Sequence, residues 1–229
     1  MNNSSYLISL HVINALSDLC YNEKILENER EVTKAIRNIK IIFDKYQTIY
    51  TASNGHILMT VMENNILEYK DKMEILIPKE IAKKLKPKKN IIRAEIAVLN
   101  NNEATIRYDE EDIIFTIPKY KYPNIEAILK SYFPKPNEDD NADWKPKNNF
   151  NPHLLSMLSK AYKAILKLNV SFSPEHPVLF QKHEDKPAFY LISPTFYPKN
   201  ISGIIAAIMP LRSDEPPNIK DYFPENFKF

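Results

Sequence analysis

The chain reads as an α+β protein, and three features of the sequence carry that reading. The first is Tyr50-Thr51-Ala52-Ser53-Asn54-Gly55-His56-Ile57-Leu58-Met59-Thr60-Val61, where Asn-Gly sits between alternating β-formers. Such a pair signals a tight type I′ hairpin, which requires φ > 0 at both central residues. The second is an order of elements, strand then helix then three strands, that occurs twice before residue 120. The third is a helix opened by Asn151-Pro152 and followed by further short strands. Only two glycines, Gly55 and Gly203, occur in 229 residues, against about 7% in an average chain. One of them stands where the hairpin turn needs it.

Taken in order, Ile8 to Tyr21 reads as a helix, with Ile13, Leu16 and Leu19 or Cys20 at three- and four-residue spacing and Asn14, Ser17 and Asp18 opposite. A polar stretch from Asn22 to Glu31 leads to a strand over Ala35 to Phe43, and the hairpin ends near Met62. Met73 to Ile77 is a short strand. Pro78 suits the start of a helix over Lys79 to Lys86, with Ile81, Ala82 and Leu85 on one face and Lys79, Lys83 and Lys86 on the other. Strands follow over Ile91 to Leu99, Ala104 to Tyr108 and Ile113 to Ile117. Pro134 to Asn149, proline-rich and acidic without apolar periodicity, reads as a linker.

Asn151 is the expected N-cap of the next helix and Pro152 lies in its first turn. Leu154, Leu155, Leu158, Tyr162, Ile165 and Leu166 form its apolar face, and Lys160, Lys163 and Lys167 its basic stripe. Val170 to Phe172, Val178 to Gln181, Phe189 to Ile192 and Ile204 to Leu211 read as strands.

Composition narrows the function classes. Hydrophobic content of 44% fills a core, and a net charge of +2 names no partner by itself. The single cysteine, Cys20, excludes an intramolecular disulfide framework and suits a reducing compartment. No leader-like N-terminus and no apolar run near the roughly 20 residues of a membrane helix occur, so a cytoplasmic protein without a membrane partner is expected. There is no phosphate-cradling glycine loop, no nucleophile motif and no His/Cys cluster at metal-ligand spacing. The expectation is a non-enzymatic protein without cofactor or metal. His176 and His183, seven apart around a turn, are the nearest approach to a ligand pair.

The hairpin and a second stretch, Ile204-Ile205-Ala206-Ala207-Ile208-Met209-Pro210-Leu211-Arg212, together resemble two signatures of the bacterial sliding clamp, the β subunit of the replicative DNA polymerase. The segment from Phe115 to Leu129 resembles that family's exit from its middle domain, and Phe150-Asn151 the entry to a helix of its C-terminal domain. The resemblance implies a sliding-clamp fold of repeated strand-helix-three-strand units, in antiparallel sheets with helices on one face. It divides the chain into a middle-domain-like part (1–133), a linker (134–149), the second half of a C-terminal domain (150–212) and a tail (213–229). Neither the family's N-terminal domain nor the first half of its C-terminal domain has a counterpart.

By the same resemblance, Ser53, Gly55, His56, Ile57 and Leu58 of the hairpin line a peptide-binding pocket. Pro123, Ala127 and Ile128 join from the domain exit, and Val178, Met209, Pro210, Leu211 and Arg212 from the last part. Its ligands would be short motifs of DNA polymerase, clamp loader and repair factors. Ile57 and Ala127 depart from positions that the family often makes basic, implying a greasier pocket. Lys79, Lys83, Lys86, Lys160, Lys163 and Lys167 would face double-stranded DNA, a salt-sensitive and sequence-blind contact. Three units per chain would complete a twelve-unit ring as a tetramer, a homo-oligomer. A ringless mimic acting as decoy or regulator of clamp partners is the alternative within this class, and an accessory DNA-modifying enzyme the alternative outside it. The tail, with Tyr222-Phe223-Pro224 and Phe227-Lys228-Phe229, is similar to the short aromatic ligands that such pockets take.

Overall fold

The computed structural model describes residues 5–22, 28–125, 127, 150–166, 178–180, 188–191 and 197–210. The first unit runs β1 (Ser5–Ser9), α1 (Leu10–Ser17), α2 (Glu31–Ile36), β2 (Asn38–Phe43), β3 (Gln47–Ser53) and β4 (Ile57–Asn64). The second runs β5 (Met73–Pro78), α3 (Lys79–Lys84), β6 (Arg93–Asn100), β7 (Glu103–Tyr108) and β8 (Glu111–Thr116). A third, shorter group follows: α4 (Pro152–Leu166), β9 (Val178–Phe180), β10 (Ala188–Leu191) and β11 (Ile201–Ile208).

The first two units interlock by exchanging their leading strands. β1 pairs with β6 of the second unit, and β5 pairs with β2 of the first, both antiparallel. Two sheets result, in the orders β1-β6-β7-β8 and β5-β2-β3-β4-β11-β10-β9. The longer sheet passes without a break from the first unit into the third group, because β4 pairs with β11 from Ile57↔Ile208 to Ile201↔Glu63. Helix α1 packs against both α3 and α4, and all three rest on strands of this sheet.

Strand patterns follow the buried face. In β2, Ile39, Ile41 and Phe43 are fully buried, while Lys40 and Ile42 alternate with them and stay half-buried. Between the sheets Tyr6, Phe43 and Tyr69 form an aromatic cluster, with Tyr6 centroids 4.6 Å from Phe43 and 4.8 Å from Tyr69. Asn151 caps α4 as expected, its Oδ1 accepting from the His153 N–H at 2.9 Å.

Three expectations are corrected. The helix expected from Ile8 begins at Leu10, because Ser5–Ser9 is a strand whose register on β6 runs from Ser5↔Ala97 to Ser9↔Arg93. The buried residues Tyr6, Ile8 and Leu10 continue directly into the helical spacing of Ile13 and Leu16, so the two periods merge in the sequence. The strand expected from Ala35 begins at Asn38, and the charged stretch before it ends in helix α2. Asn38 closes that helix, its Nδ2 donating to the carbonyls of Lys34 and Ala35.

The third correction is Lys79, placed by helical spacing on an exposed basic stripe. It is 4% exposed, and its Nζ donates to the Cys20 carbonyl at 3.2 Å. As the first residue of α3 its side chain leans back past the helix start, towards the chain leaving α1. Burial lowers its pKa.

Buried acids set an alkaline limit to stability. Burial pushes the Cys20 thiol from 9.0 to about 12 and raises the Tyr50 and Tyr162 hydroxyls above their ordinary 10.0. Unfolded, these groups release protons near their ordinary values. From about pH 9 towards pH 12 the folded state therefore holds more protons, and stability falls as pH rises, by up to about 1.4 kcal/mol per pH unit for each group. Lys79 acts in the opposite sense, one group against several. Urea midpoints at pH 7, 9 and 10.5 should fall in that order, with Cys20 unreactive to thiol reagents in the folded protein at pH 8; a flat profile would contradict this.

One buried polar network ties the sheets and the third group together. The Glu63 carboxylate, 1% exposed, accepts from Arg93 Nη2 at 2.8 Å, Asn200 Nδ2 at 2.6 Å and the Tyr50 hydroxyl at 3.0 Å. Tyr50 in turn accepts from the Ser9 N–H at 3.0 Å. Residues of β1, β3, β4, β6 and the turn before β11 thus meet at one carboxylate.

Candidate functional site

An apolar cleft lies at the other end of β4, where the β3–β4 turn, the end of β11 and the segment leaving the second unit converge. Asn54, Gly55, His56 and Ile57 follow the last cross-strand pair before the turn, Ser53↔Leu58. The Asn54 side chain organises them: its Oδ1 accepts from the N–H groups of His56 and Ile57, both at 2.9 Å. Ser53 Oγ accepts from the Gly55 N–H and donates to the Ile57 carbonyl at 2.7 Å.

Only Gly55 among these has positive φ, 90°, so the expected type I′ turn, which needs it at both central residues, is not formed. An Asx turn replaces it, with the Asn54 side chain doing what a backbone carbonyl would do. Positive φ at two successive central residues appears instead at Asp109 and Glu110, between the paired Tyr108 and Glu111. A Cβ added at Gly55 would meet only Ile36 Cδ1 at 3.8 Å, so the cost of Gly55→Ala is backbone strain alone. A loss of about 1 kcal/mol in urea unfolding is expected.

Two packed clusters make the walls. Leu58, Phe189 and Ala207 pack with Ile205 across the β4–β11–β10 face, and Ala35, Ile36, Leu76 and Tyr122 pack beneath α2. Ile125 touches both clusters and so joins the exit segment to the sheet. Between them opens a cleft of about 280 Å³, lined by Ser53, Gly55, His56, Ile57, Leu58, Pro123 and Met209, together with Val32, Ile36, Ile125 and Ala207. The Met209 N–H donates to the His56 carbonyl at 2.8 Å, which fixes the end of β11 against the turn.

The chemistry of the lining is that of recognition by burial. His56 is its one titratable side chain among the described residues, and the Ser53 hydroxyl is occupied by the turn. Val32, 53% exposed, and Met209, 36% exposed, leave apolar surface at the mouth. No group of three or more His, Cys, Asp or Glu placed to hold a metal occurs among the described residues. No described helix is long and apolar enough to cross a membrane.

Of the other residues expected here, Ala127 is exposed and Pro210 half-exposed, and neither lines the cleft. Ala127 is turned by the exit segment, where its N–H donates to Asn124 Oδ1, and Pro210 follows the last residue held by the turn. Val178 is described in its backbone alone, within β9, and Ile128, Leu211 and Arg212 lie outside the described residues, as do His176 and His183. Val32, Ile36, Ile125 and Ala207 were not foreseen. The apolar spacing of Val32, Ala35 and Ile36 within a charged stretch was the available signal for the first two. Among the candidate DNA-facing lysines, Lys83 and Lys86 are exposed at α3, Lys160 and Lys163 are exposed on α4, and Lys167 lies outside the described residues.

No family model and no curated protein matches the sequence. Solved structures do match in fold. The DNA polymerase III β subunit of Thermotoga maritima aligns with a TM-score of 0.59 at 9% identity, covering 93% of this chain and 67% of its own. This is the sliding-clamp fold. The Streptococcus pneumoniae β chain gives 0.59 at 11% identity over 93% of this chain and 66% of its own. The Pseudomonas aeruginosa clamp, solved bound to griselimycin, gives 0.61 at 12% identity over 93% and 67%. The chain thus spans about two thirds of the length of these clamps. The clamp fold implied by the hairpin and the Ile204–Arg212 stretch is borne out as a fold, with antiparallel sheets and helices packed on them.

Proposed function

We infer that this chain is a non-enzymatic interaction protein that captures short apolar peptide motifs in the cleft between its first unit and its last strand. The observation that carries this reading is the convergence of the hairpin turn, Pro123, Ile125 and Met209 around one apolar cleft. A short linear motif gains affinity by burying one or two large side chains in such a groove. The partners are proteins of replication and repair that carry clamp-binding motifs: polymerase, clamp loader and repair factors. Support comes from the clamp fold and from a structural neighbour, the Pseudomonas aeruginosa clamp, that is bound to griselimycin. The test is fluorescence anisotropy of a labelled polymerase clamp-motif peptide with the full chain; a folded chain that fails to bind it retires the reading.

Double-stranded DNA is a second partner of the same device, supported by the exposed lysines on two helices that flank α1. Lys83 stands on α3, Lys86 just beyond its end, and Lys160 and Lys163 on α4, while α1, which packs against both helices, carries the half-buried His11 and Asn14 and ends at the exposed Asp18. Contacts of this kind go to phosphates and weaken with salt. Replacing all four lysines by alanine is expected to flatten the salt dependence of DNA retention and to lower affinity at 50 mM salt by at least about tenfold. Retention on circular but not linear DNA would mark an encircling oligomer, and equal retention would count against a ring.

A further inference from the structure

We propose that residues 213–229 of this chain dock in the chain's own cleft, with Tyr222 and Phe223 filling it, and that incoming peptides must displace them. The inference rests on the cleft being a peptide groove and adds what regulates it. Three observations lead to it.

The first is where the described chain ends. Strand β11 stops at Ile208, Met209 is held to the turn by its bond to His56, and Met209 itself lines the cleft. The following residues therefore start at the cleft mouth. From Pro210 to Tyr222 an extended chain reaches at most about 40 Å. That is ample for a segment containing Pro216-Pro217 to turn back.

The second is the uncovered apolar surface. Val32 and Met209 stand exposed beside a lining of Ile36, Ile57, Leu58 and Ile125. Contiguous apolar surface of this kind marks an interaction site. The third is the composition of the segment, Ile219-Lys220-Asp221-Tyr222-Phe223-Pro224-Glu225. Two adjacent aromatic residues offer large apolar area, Pro224 limits the freedom lost on docking, and Lys220 and Asp221 offset each other beside the aromatic pair, leaving only the Glu225 charge beyond Pro224.

Tethering makes a weak contact sufficient. A short flexible connection holds the segment at an effective concentration on the order of 1 mM. With an intrinsic Kd of about 0.1 mM it would occupy the cleft most of the time and weaken a competing peptide about tenfold.

The experiment uses the full chain, its Tyr222→Ala/Phe223→Ala variant, and that variant carrying Val32→Glu. The probe is a fluorescein-labelled peptide with the sequence of residues 218–229, and thermal melts establish that all three proteins are folded. The probe should bind the double variant about tenfold more tightly than the parent, and Val32→Glu should abolish the gain. Equal affinity for parent and double variant overturns the proposal, as does a dimer of the parent that vanishes in the variant, which would place the segment in a neighbouring chain. Failure of the probe to bind the double variant also overturns it. A polymerase clamp-motif peptide then separates the two readings: if it binds, the groove stands and only the docked segment is lost; if it fails, both are lost.

Discussion

Arg93→Ala should lower the free energy of unfolding by about 3–5 kcal/mol, the cost of stranding a buried carboxylate without its cation. Glu63 is almost wholly enclosed, and of its three partners only Arg93 carries charge. Asn200 and Tyr50 satisfy lone pairs but cannot neutralise it. Glu63→Ala should also destabilise, by leaving the Arg93 guanidinium, the Asn200 amide and the Tyr50 hydroxyl short of an acceptor. Because one substitution removes the reason for the other's penalty, Arg93→Ala/Glu63→Ala should lose clearly less than the sum of the single losses. Additive losses in urea unfolding would mean that the pair does not act as a unit. The size of the effect follows from position: the network joins strands of both sheets to the turn before β11, so loosening it loosens the third group's attachment to the first unit.

Met209→Asp should weaken binding of a clamp-motif peptide by about 30- to 100-fold, on the order of 2–3 kcal/mol, while leaving the fold intact. The bond from residue 209 to the His56 carbonyl is made by the backbone and survives the change. Met209 is over a third exposed, so the free protein keeps a carboxylate in water at little cost. Occupation of the cleft would remove that water, and the described lining offers no lysine or arginine to pair with the charge. Anisotropy titrations of parent and variant, with thermal melts alongside, measure both halves of the expectation. An unchanged affinity would place the peptide elsewhere.

Much of the fold was legible because its signals are local. The hairpin around Gly55, the strands from Met73 to Thr116 and the cap at Asn151 each depend on residues within a turn or a strand length of one another. Helix α2 was missed because Glu31–Ile36 is six residues long, shorter than the stretch over which an amphipathic period declares itself. Strand β1, implied by the repeated order of elements, had no bounds of its own and was partly read into the helix from Ile8, because its alternation runs straight into the first turn of α1. The turn type at Asn54 was misjudged because an asparagine side chain can substitute for the backbone bond that defines the tighter turn.

The candidate cleft divides in the same way. Ser53, Gly55, His56, Ile57, Leu58, Pro123 and Met209 were named from two short motifs and an exit segment, and they line one cleft. Ile36, Ile125 and Ala207 join them only because α2, the exit segment and β11 come together in space. Lys79 shows the reverse error: its spacing matches Lys83 and Lys86, yet it is the residue at the start of α3, and its Nζ donates to the Cys20 carbonyl in the chain leaving α1.

By itself, the sequence determined the α+β class, most strand positions, the glycine of the turn and the apolar character of the residues that meet in the cleft. These depend on propensity and period, which act over a few residues. The exchange of β1 and β5 between units, the pairing of β4 with β11, the burial of Glu63 among partners up to 137 positions away and the closing of the cleft were decided by tertiary structure alone. They depend on which surfaces find complementary surfaces once the chain has collapsed, and no local pattern encodes that choice.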